Sequence, residues 1–529
     1  MRRFYSASIS RTLISFEISM IIFRNNIRKL KAKQHQFMNS GITKNLRLSR
    51  IKSESLAGMT VALALIPESL AFAAIAKVSP MVALYTSFCM AVVIAIVGGR
   101  PAMISAATGS MALLMTTLVA NHGVEYLFAA TILTGIIQFL IGIFKLGKYF
   151  SFIPQSVISG FVNALGILIF TAQLQQFQGE SWQMYGMVAV TLAIVYLLPR
   201  LTKSIPSPLV AIVLMTIVAI ATNLDVRRVG DIGEITRTLP AFHIPNISFS
   251  AETLAIILPY SLTLAIVGLL ESLLTAALID DLTDTSSSKH QETRGQGIAN
   301  IVTGFLGGMA GCGMVGQSII NVRSGGRSRL STAVAGAFLL FSIFMLRDIV
   351  QQIPMAALIG VMIMVSFETF DWASLKTLQK MPLSEALVMP FTVAIVLWTH
   401  DLAAGVLAGV VLSALMFGWR VAQIKATTSI DLHCIKYSLS GQLFFGSATH
   451  FVELFGYSKD PEQVIIDFSH SHVWDHAAAS AIAKVISKYQ RLNKQVTLIG
   501  LNQESYASAR HSGVPEAVID FESGEQQLA

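Results

Sequence analysis

The sequence predicts a polytopic α-helical membrane protein made of two repeated halves, followed by a small soluble α/β domain. Hydrophobic residues form 53% of the 529-residue chain and charged residues 13%, with a mean hydropathy of +0.63. This is far more apolar surface than a soluble core of this length needs. A short phrase that places a carboxylate in an apolar stretch occurs twice. After Arg420 the hydropathy falls and short alternating segments begin.

Apolar segments that match the thickness of a bilayer repeat along the chain as far as Arg420. A spanning helix needs about 20 apolar residues, and on this measure we expect about fourteen spans, several of them short. They lie at roughly 55–78, 81–98, 102–120, 125–145, 154–173, 183–199, 207–223, 253–280, 296–308, 311–322, 330–346, 354–368, 384–400 and 402–420.

The net charge of +8 does not indicate a nucleic-acid binder, because the basic residues follow the positive-inside rule. With the N-terminus in the cytoplasm, the basic loops fall inside: Lys145, Lys148, Arg200, Lys203, Lys289, Arg294, Arg323, Arg327, Arg329, Lys376, Lys380, Arg420 and Lys425. Exceptions are Arg347 and three arginines, Arg227, Arg228 and Arg237, in the longer 224–252 loop. We expect a multi-pass protein of the cell's inner (plasma) membrane with both termini cytoplasmic.

Residues 1–50 predict a basic cytoplasmic arm at the membrane surface. The apolar run from Leu13 to Phe23 is broken by Glu17 and lacks the cleavage pattern of a signal peptide. A translation start at Met38 stays open as an alternative. The three cysteines, Cys89, Cys312 and Cys434, are too scattered for a disulfide framework or a metal site, and we expect small buried residues there.

The two halves share a phrase and a glycine-punctuated segment. Residues 68–74 (ESLAFAA) correspond to 271–277 (ESLLTAA), and Gly-Gly at 98–99 and 307–308 precedes ATGS at 107–110 and GQS at 316–318. Intramembrane ionisable residues mark ion or substrate pathways. Internal symmetry with interrupted helices is typical of secondary transporters. The pattern predicts repeats at about 51–224 and 253–425 that meet at a polar site.

A helix that begins inside the membrane creates an anion site without a basic side chain. Its first N–H groups are unpaired and carry roughly half a positive charge, so two opposed starts would attract an anion. Gly109 and Gly316 keep side chains away, which lets a small anion approach the backbone. Alternatively, the glycines serve only close helix packing.

The tail after Arg420 predicts a small α/β domain at 430–529. Its expected strands are His433–Leu439, Gln442–Phe445, Val464–Phe468 and Val496–Gly500, with a helix over 476–490 that Asp475 caps. Residues 465–469 (IIDFS), 473–475 (VWD) and 496–501 (VTLIGL) resemble the STAS domain of sulfate transporters and anti-sigma-factor antagonists. The signalling members carry a phosphorylated serine where this chain has His476.

The motifs of the membrane part resemble the sulfate permease (SulP) family of anion transporters, and with the tail the resemblance covers about residues 50–510. They are 67–73 (PESLAFA), 99–101 (GRP) with 108–109 (TG), 271–276 (ESLLTA), 295–300 (GQGIAN) and 324–328 (SGGRS). The resemblance implies seven-plus-seven inverted repeats over 51–425, a core and a gate domain, and two facing half-helices, the third and the tenth. It also implies a homodimer, and we keep a cytoplasmic partner of the STAS domain as an expectation.

The resemblance also implies where the anion binds: between the helix starts near Thr108 and near Gly316 and Gln317, with Phe72 packed against it. We therefore predict seven substrate-binding residues, Phe72, Thr108, Gly109, Ser110, Gly316, Gln317 and Ser318. Many members carry arginine where this chain has Gln317, so the site relies on dipoles and amides. This difference favours monovalent or protonated anions such as bicarbonate over sulfate.

The two carboxylates, with Thr275, are the predicted coupling-ion residues. Glu271 matches the acid that the family uses for cation coupling, and Thr275 lies one turn further on the same face. Burial disfavours the charged form, so a desolvated Glu271 would bind a proton, whereas an ionised Glu271 with Thr275 would supply oxygen ligands for Na⁺. We favour H⁺, because members interpreted as sodium-coupled often carry aspartate there. Glu68 is expected to be protonated when the anion is bound or to supply a second proton. Alternatively, it only holds hydrogen bonds to backbone broken by Pro67.

We therefore expect a secondary active transporter of a small anion such as bicarbonate, sulfate or a dicarboxylate, coupled to H⁺ or Na⁺, without enzymatic activity, cofactor, bound metal or nucleic acid. An uncoupled anion exchanger or channel is the first alternative. A nucleobase transporter of the same general fold is a lesser one. From a different class, the chain would act as a membrane-anchored sensor or scaffold through its STAS domain.

Overall fold

The structure, a computed structural model, describes residues 41–148, 153–201, 206–236, 238–248, 250–431, 433–512, 514–515 and 518–520. Of the predicted N-terminal arm, residues 1–40 lie outside this range, and 41–50 open the first helix. The segment from Leu13 to Phe23 is therefore outside the described residues.

The first half of the membrane part consists of helices interrupted by one very short strand. Its elements are α1 (Gly41–Ala76), α2 (Pro80–Val97), β1 (Ser105–Ala107), α3 (Gly109–His122), α4 (Val124–Ile143), α5 (Gln155–Gln175), α6 (Trp182–Leu201) and α7 (Ser207–Ala221). A single 3₁₀ turn, Val229–Asp231, lies in the loop that follows.

The second half repeats this order: two helices, a three-residue strand and a short helix. Its elements are α8 (Ala251–Thr283), α9 (Lys289–Phe305), β2 (Gly311–Gly313), α10 (Val315–Arg323), α11 (Arg329–Val350), α12 (Met355–Thr369), α13 (Trp372–Leu378), α14 (Leu383–Ala386), α15 (Val388–Thr399) and α16 (Leu402–Val421). Each of the fourteen apolar ranges expected from the sequence contains helix.

Among the described residues, nine helices are long and apolar enough to cross a membrane, and two shorter apolar helices accompany them. The shorter two are Ser207–Ala221 and Leu383–Thr399. Large apolar side chains such as Val213, Leu214 and Ile217 of α7 are exposed, as expected for a surface that faces lipid tails. The chain is therefore a helical membrane protein, and the count of fourteen spans stays a prediction.

The described residues divide into two compact units. One holds those before 149, those between 162 and 370, and Asp401–Ala403. The other holds 153–161, Asp371–His400 and those from 404 onward. The strand pair, the short helices α3 and α10 and both repeated phrases belong to the first unit, and the C-terminal sheet belongs to the second.

In the first unit, helices α4 and α9 pack backbone against backbone through glycine. A Cβ atom built on Gly297 would lie 2.5 Å from the backbone nitrogen of Phe139, and one built on Gly135 would lie 2.6 Å from the backbone oxygen of Gly297. Small residues allow this approach in membranes, where packing replaces the hydrophobic effect as the driving force. The contact fixes α9, whose polar side chains hold the strands described below.

A buried ion pair joins the loop before β1 to the end of α8. The Nη1 atom of Arg100 lies 2.8 Å from Oδ1 of Asp280, and its Nη2 atom donates to the backbone oxygen of Ile279 (3.1 Å). Removing one partner of such a pair would leave a buried charge without compensation. The Gly-Arg-Pro motif therefore has a structural role here.

The C-terminal domain is a five-stranded sheet in the order β3-β4-β5-β6-β7. The strands are β3 (Lys425–Asp431), β4 (Cys434–Leu443), β5 (Gln463–Val473), β6 (Gln495–Ile499) and β7 (Ile519–Asp520), and the helices are α17 (Ala448–Glu453), α18 (His476–Arg491) and α19 (Gln503–His511). Strands β3 and β4 pair antiparallel and the other neighbours pair parallel. Asp475 caps α18 by accepting from the Ala478 backbone nitrogen (2.8 Å), as predicted.

One detail of the predicted tail is wrong. The two short strands expected at His433–Leu439 and Gln442–Phe445 form one strand, β4, which continues through Gly441 at a φ of +124° and ends at Leu443. The pairing with β5 shifts between Ser438, which faces Asp467, and Ser440, which faces His470, so the extra residue of this irregularity lies on β5. The sequence analysis did not predict the edge strand β3.

Within this domain, an ion pair across β4 and β5 makes stability depend on pH. Burial alone would raise the pKa of Asp467, but hydrogen bonds from Lys436 and Ser469 outweigh it and hold that pKa below its usual value. The Lys436 ammonium lies 2.8 Å from the carboxylate. Because the folded pKa is lowered, the pair stabilises the fold above about pH 4, the ordinary aspartate value, and this contribution is lost as the pH falls.

We predict that Lys436→Met destabilises the C-terminal domain by less than about 1 kcal/mol at pH 7, since the lysine is partly exposed and its charge is screened. The difference from wild type should shrink below about pH 4, where Asp467 begins to be protonated. Scanning calorimetry of the detergent-solubilised full chain measures both. The control is Lys425→Met on β3, whose ammonium forms no ion pair within the described part of the chain. Equal pH profiles for the two variants would contradict the assignment.

Candidate functional site

The site begins with an antiparallel pair of three-residue strands. Ser105, Ala106 and Ala107 of β1 face Gly313, Cys312 and Gly311 of β2. Helix α3 begins two residues after β1 and α10 begins two residues after β2. Because the strands are antiparallel, the two helices begin at opposite ends of the strand pair, each with its N-terminus next to it.

Polar side chains of α9 and α2 hold the strands in place. The Asn300 amide accepts from the Gly311 backbone nitrogen (2.9 Å) and donates to the Gly311 oxygen (3.1 Å). Gln296, one turn earlier, donates to the Ser105 hydroxyl (2.7 Å). The Ala107 nitrogen donates to the Ser87 hydroxyl (3.2 Å). These bonds satisfy backbone groups that lipid cannot satisfy.

The start of α10 presents unpaired backbone donors. Across the part of the chain that the structure describes, the backbone nitrogens of Val315, Gly316 and Gln317 have no hydrogen-bond partner. Gly316 is exposed, and a Cβ atom added there would meet nothing within 4 Å. Open space in front of free N–H groups at a helix start is the arrangement that binds anions.

The start of α3 is more enclosed. Its cap, Thr108, accepts from the Met111 nitrogen at 3.5 Å, whereas the nitrogens of Gly109 and Ser110 have no protein partner among the described residues. A Cβ atom on Gly109 would lie 3.0 Å from Cε1 of Phe72 and 3.1 Å from Ile169. Phe72 therefore packs directly against this helix start, and a larger residue at 109 would press on the Phe72 and Ile169 side chains.

Glu271 of α8 contacts the start of α3. Its Oε2 atom accepts from the Ser110 hydroxyl (2.5 Å) and from the Cys312 thiol (3.0 Å). Thr108 closes the cluster, with its hydroxyl 3.0 Å from that of Ser110 and 3.2 Å from the Cys312 sulfur. A carboxylate in this position accepts from a helix start and is stabilised by its dipole.

Glu68 of α1 contacts the start of α10 in the corresponding way. The Gln317 amide donates to Oε1 of Glu68 (2.6 Å). The second carboxyl oxygen of Glu68, Oε2, and the amide oxygen of Gln317, Oε1, are buried without a partner in the described residues. Pro67 lies inside α1 immediately before the acid. The second repeat's short helix is thus paired with the first repeat's acid, and the reverse holds for Glu271.

Two of the ten predicted residues, Ser318 and Thr275, form structural bonds instead of facing a helix start. The Ser318 hydroxyl is fully buried and accepts from the Ile104 backbone nitrogen (2.9 Å), so it joins α10 to the segment before β1. The Thr275 hydroxyl donates to the backbone oxygens of Glu271 (2.7 Å) and Gly313 (3.4 Å), so it bonds to backbone rather than to the Glu271 carboxylate. The structure brings the other eight predicted residues to the two helix starts.

The charges of the site nearly balance. Each helix start carries roughly half a positive charge, and one carboxyl group contacts each start. With both acids ionised the site is net negative by about one charge, and with both protonated it is net positive by about one. The net charge at the two helix starts therefore depends on the ionisation of Glu68 and Glu271.

Sequence analysis missed Cys312 as a site residue. We expected a small buried side chain, and it is fully buried, but its thiol lies between Thr108 and Glu271. Its position in a glycine-flanked segment, 311–313, was the available signal. The glycines themselves serve strand packing: a Cβ atom on Gly311 would lie 2.5 Å from the Ala106 oxygen.

Comparisons with known proteins agree on the family. The profile of the sulfate permease family matches residues 51–195 and 178–392, and that of the STAS domain matches 423–527. A Bacillus subtilis protein named as a candidate sulfate transporter, YbaR, is 55% identical over 470 residues, covering 88% of this chain and 98% of that protein. The bicarbonate transporter BicA of Synechocystis is 28% identical over 512 residues, covering 87% and 90%.

Two solved structures have the same fold. The transmembrane domain of a cyanobacterial BicA superposes with a TM-score of 0.61 at 28% identity, covering 69% of this chain and 97% of that one. The overall structure of SLC26A9 superposes with a TM-score of 0.76 at 16% identity, covering 94% of each chain. The family and the relatives' names are those of transporters, not of enzymes. The chain belongs to the sulfate permease family of membrane anion transporters and carries a C-terminal STAS domain.

Proposed function

We propose that this chain is a secondary active transporter that carries a small anion together with a coupling ion, H⁺ or Na⁺, by alternating access. One observation supports coupling above the others: an acid contacts each of the two helix starts, Glu271 at Ser110 and Glu68 at Gln317. An ionised carboxylate and a substrate anion compete for the same positive end of a helix. Loading a cation onto the acid removes that competition.

The contacts of Glu271 favour H⁺ as the coupling ion. A sodium ion needs several oxygen ligands, whereas of the two side chains that contact this carboxylate only Ser110 brings an oxygen atom, the other being the Cys312 thiol. The hydroxyl of Thr275 is bonded to backbone. A proton on the carboxylate needs no such set of ligands. No cofactor is proposed beyond the coupling ion.

The remaining contacts bear on the choice of anion. Gln317, where relatives often carry arginine, offers an amide that is engaged by Glu68. With dipoles and amides alone, the site holds about one compensating positive charge when both acids are protonated. We propose that it prefers monovalent or protonated anions, bicarbonate among them, to sulfate.

The wider assignments follow the family. We propose a homodimer in the cell's inner (plasma) membrane, with both termini in the cytoplasm, a transport domain at 51–425 and a STAS domain at 430–529 that can receive a cytoplasmic partner. The two proteins most relevant to the substrate are named for sulfate and for bicarbonate. We infer the same class of small inorganic anion here.

Uptake by purified protein in proteoliposomes tests the proposal. Labelled sulfate and a labelled dicarboxylate are supplied, with bicarbonate as competitor, under an inward pH gradient without Na⁺ and under an inward Na⁺ gradient at equal pH. We expect the pH gradient to drive accumulation. Uptake indifferent to both gradients would instead indicate an exchanger or channel. Loss of a cellular phenotype on deletion of 430–529 with uptake intact would favour a sensor.

We predict that Glu271→Gln removes the response of uptake to the pH gradient while folding is preserved, because glutamine keeps the acceptor for Ser110 but cannot exchange a proton. Downhill exchange of labelled anion should remain within a few fold of wild type. Glu252→Gln, on the same helix α8 but exposed in its first turn, is the matched control. A Glu271→Gln protein that still accumulates anion against its gradient would remove the residue from the coupling role.

We predict that Gln317→Arg alone raises sulfate affinity little, because the guanidinium would pair with the Glu68 carboxylate that Gln317 contacts at 2.6 Å. Combined with Glu68→Gln, it should raise sulfate affinity about tenfold or more, as expected for a charge-assisted hydrogen bond. Calorimetric titration with sulfate of the wild type, the two single variants and the double variant completes a double-mutant cycle. Strictly additive effects would show that the two side chains do not share one site.

A further inference from the structure

A basic cleft of about 330 Å³ lies at the end of α1, away from the two helix starts. The cleft is lined by the last turn of that helix, the short connection to α2, the residue after α5 and the loop after α7. The lining residues are Ala74, Lys77, Val78, Ser79, Gln176, Arg227 and Ile232. Two of the seven lining residues are cations and none is acidic. A basic concave surface concentrates small anions.

Lys77 occupies a backbone position that normally belongs to glycine. Helix α1 ends in a Schellman motif, in which the Val78 nitrogen donates to the Ala73 oxygen (3.0 Å) and the Lys77 nitrogen donates to the Ala74 oxygen (3.3 Å). Lys77 has a φ of +56°, a backbone angle that residues other than glycine and asparagine rarely adopt. Its ammonium is exposed and has no ion-pair partner among the residues described. Glycine would suit this backbone better, so the lysine carries a conformational cost here.

Arg227 forms the opposite side of the cleft on a fixed backbone. Its carbonyl accepts from the Met355 nitrogen (2.8 Å), and its Nη2 atom donates to the Gln176 side-chain oxygen (2.5 Å). Glu180, outside the lining, is a looser partner at 3.5 Å, and the Nε atom of Arg227 is buried without a protein partner. Arg227 thus retains donors toward an added acceptor.

We propose that Lys77, Arg227 and Ser79 form a second anion-binding site that receives a small inorganic anion before it reaches the helix starts. The site lies just beyond the end of the helix that carries Phe72 and Glu68, with Lys77 about one and a half turns past Phe72 and about two and a half turns past Glu68. On the orientation expected from the loop charges, it faces the non-cytoplasmic side. The inference extends the proposed transport function, but binding at the cleft is measurable without transport.

The test places a cysteine in the cleft. Ser79→Cys is suited to this because Ser79 makes no side-chain capping bond at the start of α2, and Cys434→Ser removes the one native thiol that is not buried. In full-length protein in vesicles, the rates of modification by an anionic and a cationic thiol reagent are compared. Sulfate and bicarbonate are then titrated as protecting anions against gluconate at equal ionic strength.

We expect the anionic reagent to react about two- to fivefold faster than the cationic one, the effect of one exposed charge, and we expect saturable protection by sulfate or bicarbonate. Lys77→Gly should abolish both effects without loss of thermal stability, because glycine suits the backbone there. Lys145→Gly is the matched control, since Lys145 has the same φ of +56° but does not line the cleft.

If gluconate and sulfate protected the thiol equally, the anions would only be screening charge, and the proposed site would be overturned. Protection of the thiol that persists in Lys77→Gly would also overturn it. Saturable protection in vesicles that show no coupled uptake would keep the cleft site and reject the transport proposal instead. Uptake with a raised KM and an unchanged maximal rate in Lys77→Gly would support both.

Discussion

The pairing of two three-residue strands is the constraint on which the site depends. In isolation, Ser105–Ala107 and Gly311–Gly313 are far too short to be stable. They persist because α9 supplies side-chain partners for their backbone and because glycine in β2 lets the strands approach. The pairing turns two helix starts, more than two hundred residues apart in sequence, toward one place in the membrane part.

The pairing also ties the elements around the two helix starts to one another. The Met314 nitrogen donates to the Ile104 oxygen (2.8 Å), and Ser318 is bonded to the Ile104 nitrogen. Helix α10 therefore cannot shift along its axis without moving the segment that leads into α3. Helix α9 is tied to both through Asn300 and Gln296 and is packed on α4 at backbone distance. The proposed alternating access would therefore require other elements to move around this group, and not the separation of its two helix starts.

Sequence reasoning predicted the fold class, and it named most of the residues that lie at the two helix starts, because the physics involved is local. The length of an apolar segment indicates a membrane helix, and a repeated sequence motif, such as the one at Glu68 and Glu271, indicates a duplication. The contacts between halves were not predictable, since Gln317 and Glu68 meet only after the strands pair. The role of Cys312 stayed hidden for the same reason. Strand β4 was divided in two because Gly441 resembles a turn when its partner strand is unknown.

The placement of one acid at each helix start has an electrical consequence for the proposed cycle. A monovalent anion that enters with one proton moves no net charge, whereas one that enters with two moves a single positive charge inward. The membrane potential then contributes about 2.3 kcal/mol per charge per 100 mV. A carrier with two titratable acids could therefore use the voltage of an energised membrane to accumulate its substrate, whereas one acid would leave it dependent on the pH difference alone.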